Sequence, residues 1–173
     1  MNAETLRRNL ERTGRAFGAL MDDVDATEAE WKPKPDRWSL VEVANHLADE
    51  EVEDFRTRVR MIADDPSETW PAIDPFGWVE SREYAKRPYA ASVSRWKAER
   101  STTLEWLVSG IELDADVKYR GSNADYYDLR CGDLVLSWIA HDYFHIRQIT
   151  ILRWEYLYHA GAPYSPRYAG EME

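Results

Sequence analysis

Residues Asp133–Tyr158 read DLVLSWIAHDYFHIRQITILRWEYLY. At about 100° per residue, Leu134, Trp138, His141, His145, Gln148, Ile149, Leu152 and Tyr156 fall on one stripe, with Arg147 and Arg153 outside it. Such a stripe predicts a long helix with one buried face. Asp133 reads as its cap, and Gly161 and Pro163 as its end. His141 and His145 stand at i,i+4, so adjacent turns bring their rings side by side. That spacing serves two imidazoles on one metal ion. It equally serves a hydrogen-bonded pair of core histidines.

Three more helical patterns precede this one. Leu6, Leu10, Phe17, Leu20, Met21 and Val24 predict a helix from about Ala3 to Val24. After Pro33 and Pro35, Ser39 and Glu42 form a capping-box signal, with Trp38 and Val43 as the hydrophobic staple around it. The second helix runs from there to about Ile62. His46 falls at the margin of its apolar sector, with Glu50 one turn on and Asp54 beyond, a pattern that by itself reads as surface. The third pattern spans about Ala91 to Ser109, with Val93, Trp96, Leu104, Leu107 and Val108 on its stripe and Gly110 as its stop. Arg100 lies on that stripe. It either snorkels to water or needs an acid, with Glu50, Asp54 or a substrate anion as candidates. The connection 63–89 holds four prolines and five aromatic rings and predicts a helical turn near Trp78–Tyr84. The connection 111–132 suits a loop or a short hairpin. Four helical patterns without an alternating strand predict an all-α four-helix bundle with long connections between helices two and three and between three and four.

The 173 residues suit one domain, 1–173, with a sizeable core. A net charge of −10 argues against nucleic acid or an anionic membrane as partner. The single cysteine, Cys131, excludes an internal disulfide. The first residues lack the apolar core of a signal peptide, and no apolar run approaches the ~20 residues of a membrane span. The expectation is a soluble cytoplasmic protein.

WSLVEVANHLADEE (Trp38 to Glu51) and WIAHDYFHIRQI (Trp138 to Ile149) resemble the DinB-like superfamily of metal-binding four-helix bundles. DPFGWVESREYAKRPY and RWKAERSTTLEWL between them are similar too, so the resemblance covers roughly residues 5 to 155. It implies that His46 joins His141 and His145 on one divalent metal, zinc or nickel first, manganese or iron after them. It also implies up-down-down-up helix order. Against that order, His46 and His141 lie at similar depths from their expected helix starts, which favours parallel helices two and four.

Three neutral imidazoles leave open positions on an ion, as catalytic sites do. Gln148 and Glu50 lie about one turn from ligands and are placed to orient them, with Glu50 also a candidate base. Arg100, if it points inward, is placed to bind a substrate carboxylate. Members of the superfamily include transferases that use low-molecular-weight thiols, a thiol-dependent isomerase and metal-dependent hydrolases. The expectation is a metal-dependent enzyme on a small molecule, first a thiol transferase, working as monomer or homodimer. A hydrolase and a non-catalytic metal- or ligand-binding bundle remain open. Cys131 lies more than two turns ahead of His141, so any thiol comes from a cosubstrate.

Overall fold

Side-chain caps set the helix starts. Asn2 opens α1 (Ala3–Met21) by accepting the Thr5 N–H, and Asp25 opens the short α2 (Ala26–Glu30) by accepting from Glu28. Each satisfies a donor that the first turn leaves free. The capping box forms at α3 (Leu40–Asp49). Ser39 Oγ accepts from the Glu42 N–H, and Glu42 Oε2 accepts the Ser39 N–H at 2.7 Å. Trp38 packs against the cluster that contains Val43.

The computed structural model describes residues 1–109, 111–113 and 115–170. In it α3 passes without a break into a π-helical segment, Glu50–Arg56, and then α4 (Thr57–Asp64), so the second long helix spans 40–64. The chain continues through α5 (Gly77–Ser81), a 3-10 turn at Tyr84–Lys86, α6 (Tyr89–Ser109) and α7 (Cys131–Ala160). The first two of these lie where a helical turn is expected. The Gly110 stop lies outside the described residues. Among the described residues the hairpin reduces to one isolated bridge, Lys118 to Arg130. Helix α7 starts three residues early, with Arg130 as N-cap in place of Asp133. Asp133, the expected cap, instead accepts the Arg130 N–H at 3.0 Å from the third helical position. No helix among the described residues is long and apolar enough to cross a membrane.

Two apolar clusters fill the bundle. One joins Leu6 and Leu10 of α1, Val59 and Ile62 of α4, Leu107 of α6 and Leu134, Val135 and Trp138 of α7. The other joins Phe17 and Met21 of α1, Leu40, Val43 and Leu47 of α3, Val93 and Trp96 of α6 and Ile149 and Leu152 of α7. The starts of α1 and α7 therefore share an end of the bundle with the finishes of α4 and α6. α1 and α7 run one way, and the other two long helices run the other. This corrects the depth argument for parallel helices two and four. α7 is 30 residues long, so His141 and His145 sit near its middle and meet an antiparallel α3. Val108 leaves the expected α6 stripe and is exposed, because the buried positions 93, 96, 100, 103 and 107 pass it by.

Removing the Ser39 hydroxyl takes away one half of the capping box at the start of α3. Ser39→Ala should lower stability by about 1 kcal/mol, read as a shift of the urea midpoint at unchanged slope.

Candidate metal centre

All of α3 and the start of the π segment are enclosed, so Leu40 through Glu51 is buried without a gap. His46 is buried with them, against the surface reading of its pattern. Across from it, α7 presents His141 and His145. The buried centre of α7 runs through Val135, Ile139, Asp142 and Ile149, with His145 buried and His141 half-buried beside it. The imidazoles thus sit at the edge of the α7 core stripe, facing α3.

The three rings converge. Ring centroids lie 4.9 Å apart for His46 and His145, 5.8 Å for His46 and His141, and 4.5 Å for His141 and His145. One ligand atom from each lies within 4.8 Å of the others. The Nε2 atoms of His141 and His145 face each other at 3.2 Å, and His46 Nδ1 is buried with no hydrogen-bond partner. Gln148 Oε1 lies 2.7 Å from His145 Nδ1. Since that oxygen can only accept, Nδ1 carries the proton and Nε2 keeps its lone pair. Trp38 closes one side at 4.8 Å from the His46 ring. Phe55, stacked on Trp138, closes another at 5.2 Å from His141. The fourth histidine, His159, is exposed at the end of α7, its ring 5.2 Å from Trp31.

Burial keeps the imidazoles neutral. It lowers the His46 pKa to about 3, helped by the neighbouring His145, and lowers His141 to about 3 with His145 and His46 beside it. His145 is lowered by the same burial. Three converging neutral imidazoles, one with a buried unpartnered nitrogen, form a donor set that fits a divalent ion. Glu50, one turn beyond His46, is buried on the π segment. Burial, with Asp54 beside it, raises its carboxyl to about 8. Asp54 is itself pushed up by burial and pairs with Arg58 at 2.7 Å.

Arg100 is not where either sequence reading puts it. It neither snorkels nor meets Glu50, Asp54 or a substrate. It is 4% exposed, with Nε 2.9 Å from both Glu51 oxygens and the NH1 and NH2 groups 2.8 and 3.0 Å from the Asp142 oxygens. NH1 also donates to the Leu10 carbonyl at 3.2 Å, and the Thr13 hydroxyl donates to Asp142. Bound this way, Arg100 is not free for a substrate carboxylate. Glu51, Asp142 and Thr13 are absent from the sequence-based site. Their signal is polarity on an apolar stripe, since each occupies a position where its helix faces the core.

A sequence model described as the DinB superfamily matches residues 9–149. Among solved structures, YfiT from Bacillus subtilis superposes with a TM-score of 0.72 at 14% identity, over 87% of this chain and 85% of that one. YfiT is described as a probable metal-dependent hydrolase with an unusual four-helix bundle topology. At that identity the likeness shows the fold. No curated protein matches the chain.

Replacing Arg100 strands two buried carboxylates. Arg100→Met should cost roughly 3–5 kcal/mol in urea unfolding, while a loss under about 1 kcal/mol would show the network to be dispensable. A second expectation concerns pH in the metal-free protein. Folded His46 and His141 take a proton only near pH 3, against 6.5 for an ordinary histidine. As pH falls from about 6.5 toward 3, the unfolded chain gains protons that the fold refuses, and stability declines. Glu50 acts in the opposite sense. It keeps its proton up to about 8 when folded, against 4.5 ordinarily, so stability present below 4.5 is lost as pH rises toward 8. His46→Gln should flatten the acid slope of the urea midpoint, and Glu50→Gln the slope between 4.5 and 8.

Proposed function

The chain belongs to the DinB superfamily, and on that footing we propose that it is a metal-dependent enzyme acting on a small molecule. His46, His141 and His145 hold one divalent ion. The observation that carries the reading is the convergence of three neutral imidazoles around the unpartnered His46 Nδ1. An all-nitrogen donor set suits zinc or nickel first, with iron or manganese behind them. A divalent ion with open positions supplies a nucleophile at neutral pH, because it acidifies a bound water or thiol.

The chain's own residues supply the rest. Gln148 fixes the tautomer and the rotation of His145 through the 2.7 Å bond to Nδ1. Trp38 and Phe55 keep water from the flanks of the imidazoles. Glu50, protonated near neutral pH, is placed to deliver or accept a proton one turn from His46. Cys131 supplies no nucleophile. It is buried, its Sγ donates to the Val59 carbonyl at 3.4 Å, and burial pushes its thiol up to about 11. A thiol used here therefore comes from a second substrate, and the first reading is a transferase that uses a low-molecular-weight thiol. The second reading is a hydrolase, favoured by the description of YfiT. The net charge of −10 supports a small molecule rather than nucleic acid as partner. One domain over 1–173, working in the cytoplasm as a monomer or homodimer, completes the proposal.

Protein purified without a histidine tag should carry close to one equivalent of metal by elemental analysis. His141→Ala should lose most of it, and Gln148→Ala should bind it roughly 10–100-fold more weakly. Full retention in all three single histidine variants would overturn the ligand set. With cobalt in the site, bacterial low-molecular-weight thiols should raise a sulfur-to-metal charge-transfer band that persists in Cys131→Ser. No band with any thiol, together with turnover of an ester or amide, moves the assignment to the hydrolase.

A further inference from the structure

Phe76 is 79% exposed, yet it is not a stray surface ring. Its ring lies 5.7 Å from Trp38, and Trp38 lies 4.8 Å from His46. Three rings thus lead from solvent to the histidine cluster. The segment that carries Phe76 is held from both sides. Asp74 Oδ1 accepts the Gly77 N–H at 2.9 Å, and the Asp74 carbonyl accepts the Trp78 N–H at 2.9 Å. A Cβ on Gly77 would meet the Asp74 carboxylate, which would have to shift away from this cap. Beyond it Trp78 is buried with Val79 and Tyr84, and Arg82 lies 4.1 Å over its ring. Arg82 and the Tyr84 hydroxyl bind Asp49, one turn from His46 on α3, at 2.6 and 2.5 Å. The Pro75 carbonyl, next to Phe76, acts directly on the His46 ring. A scattered exposed ring needs no explanation. A ring anchored by a cap and an ion pair, and set against the wall of a candidate centre, is a built surface.

We propose that Trp38 and Phe76 form a binding ledge for a flat aromatic group, so that the substrate is a small molecule with an aromatic body beside its reacting group. The two rings are tilted by 48° to each other, so a flat group stacked on the face of one meets the other edge-on, and both contacts exclude water from it. The ledge lies on the His46 side of the centre, so the aromatic body rests over α3 while the reacting group points toward α7. This inference rests on the three histidines holding a metal.

The test uses the zinc-loaded full chain and two probes that share one metal-binding group, acetohydroxamate and benzohydroxamate, followed by calorimetry. Benzohydroxamate should bind at least about 10-fold more tightly. Phe76→Ala and Trp38→Leu should each reduce that ratio several-fold, and Phe76→Ala should do so while leaving acetohydroxamate affinity and zinc content unchanged. If both probes bind and the ratio survives both substitutions, the ledge is overturned and the metal reading stands. If Phe76→Ala weakens both probes equally, the residue acts on the centre through Pro75 rather than on an aromatic group, which also overturns the ledge. If the protein takes up no zinc, the metal reading fails and the ledge falls with it; if it takes up zinc but binds neither probe, the metal reading stands and the ledge is overturned.

Discussion

One buried guanidinium ties the four long helices together. Arg100 leaves α6 and binds Glu51 on the π segment, Asp142 on α7 and the Leu10 carbonyl on α1, while the Trp96 and Trp138 rings flank it at 5.5 Å. Apolar contacts are non-directional and let packed helices slide or turn at small cost. A fork of donors that must find its acceptors permits neither movement without leaving a charge unpaired in the core. Whatever stability the network contributes, it sets register and rotation at one level of the bundle.

That level is the one at which the candidate centre lies. Asp142 stands between His141 and His145 in sequence and points to Arg100 and Thr13, so the two imidazoles emerge on the adjoining side of α7, toward α3. On the opposite rod the π segment starts at Glu50 and turns Glu50, Glu51, Asp54 and Phe55 all inward. A regular α-helix places four such residues around more of its circumference. The wider turn lets Glu51 meet Arg100 while Phe55 reaches Trp138 and His141. The ion pair and the histidine cluster are two faces of one packing arrangement.

The charge distribution around the centre follows the same geometry. The histidines are neutral because burial withholds the water that would solvate an imidazolium, and a proton on His145 would repel one on His46 or His141. Glu50 is neutral for the matching reason, with Asp54 beside it. The bundle thus encloses lone pairs and a transferable proton without a net positive charge at the rings, which suits a cation and a reacting small molecule.

Much of this was legible in the amino-acid order. Four long helices follow from periodicity, with ends that differ by two or three residues from those at 3–21, 40–64, 89–109 and 131–160, and the Ser39–Glu42 box follows from local hydrogen-bond chemistry, because both depend on residues within a turn or two of each other. The pair His141 and His145 is local in the same sense. The role of His46 was not, since its pattern alone reads as surface and only the resemblance to a family joined it to the pair. Its burial comes from neighbours on other helices and on the 73–86 connection. Glu51, Arg100 and Asp142 were visible in sequence only as misplaced polar groups on apolar stripes. Nothing in one chain order pairs a cation on one helix with anions on two others. Periodicity fixes which residues share a face, whereas the rotation of each helix about its axis is decided where side chains from different helices compete for the same space and the same donors. That contest, settled by Arg100 and the π segment, is what brought three imidazoles together.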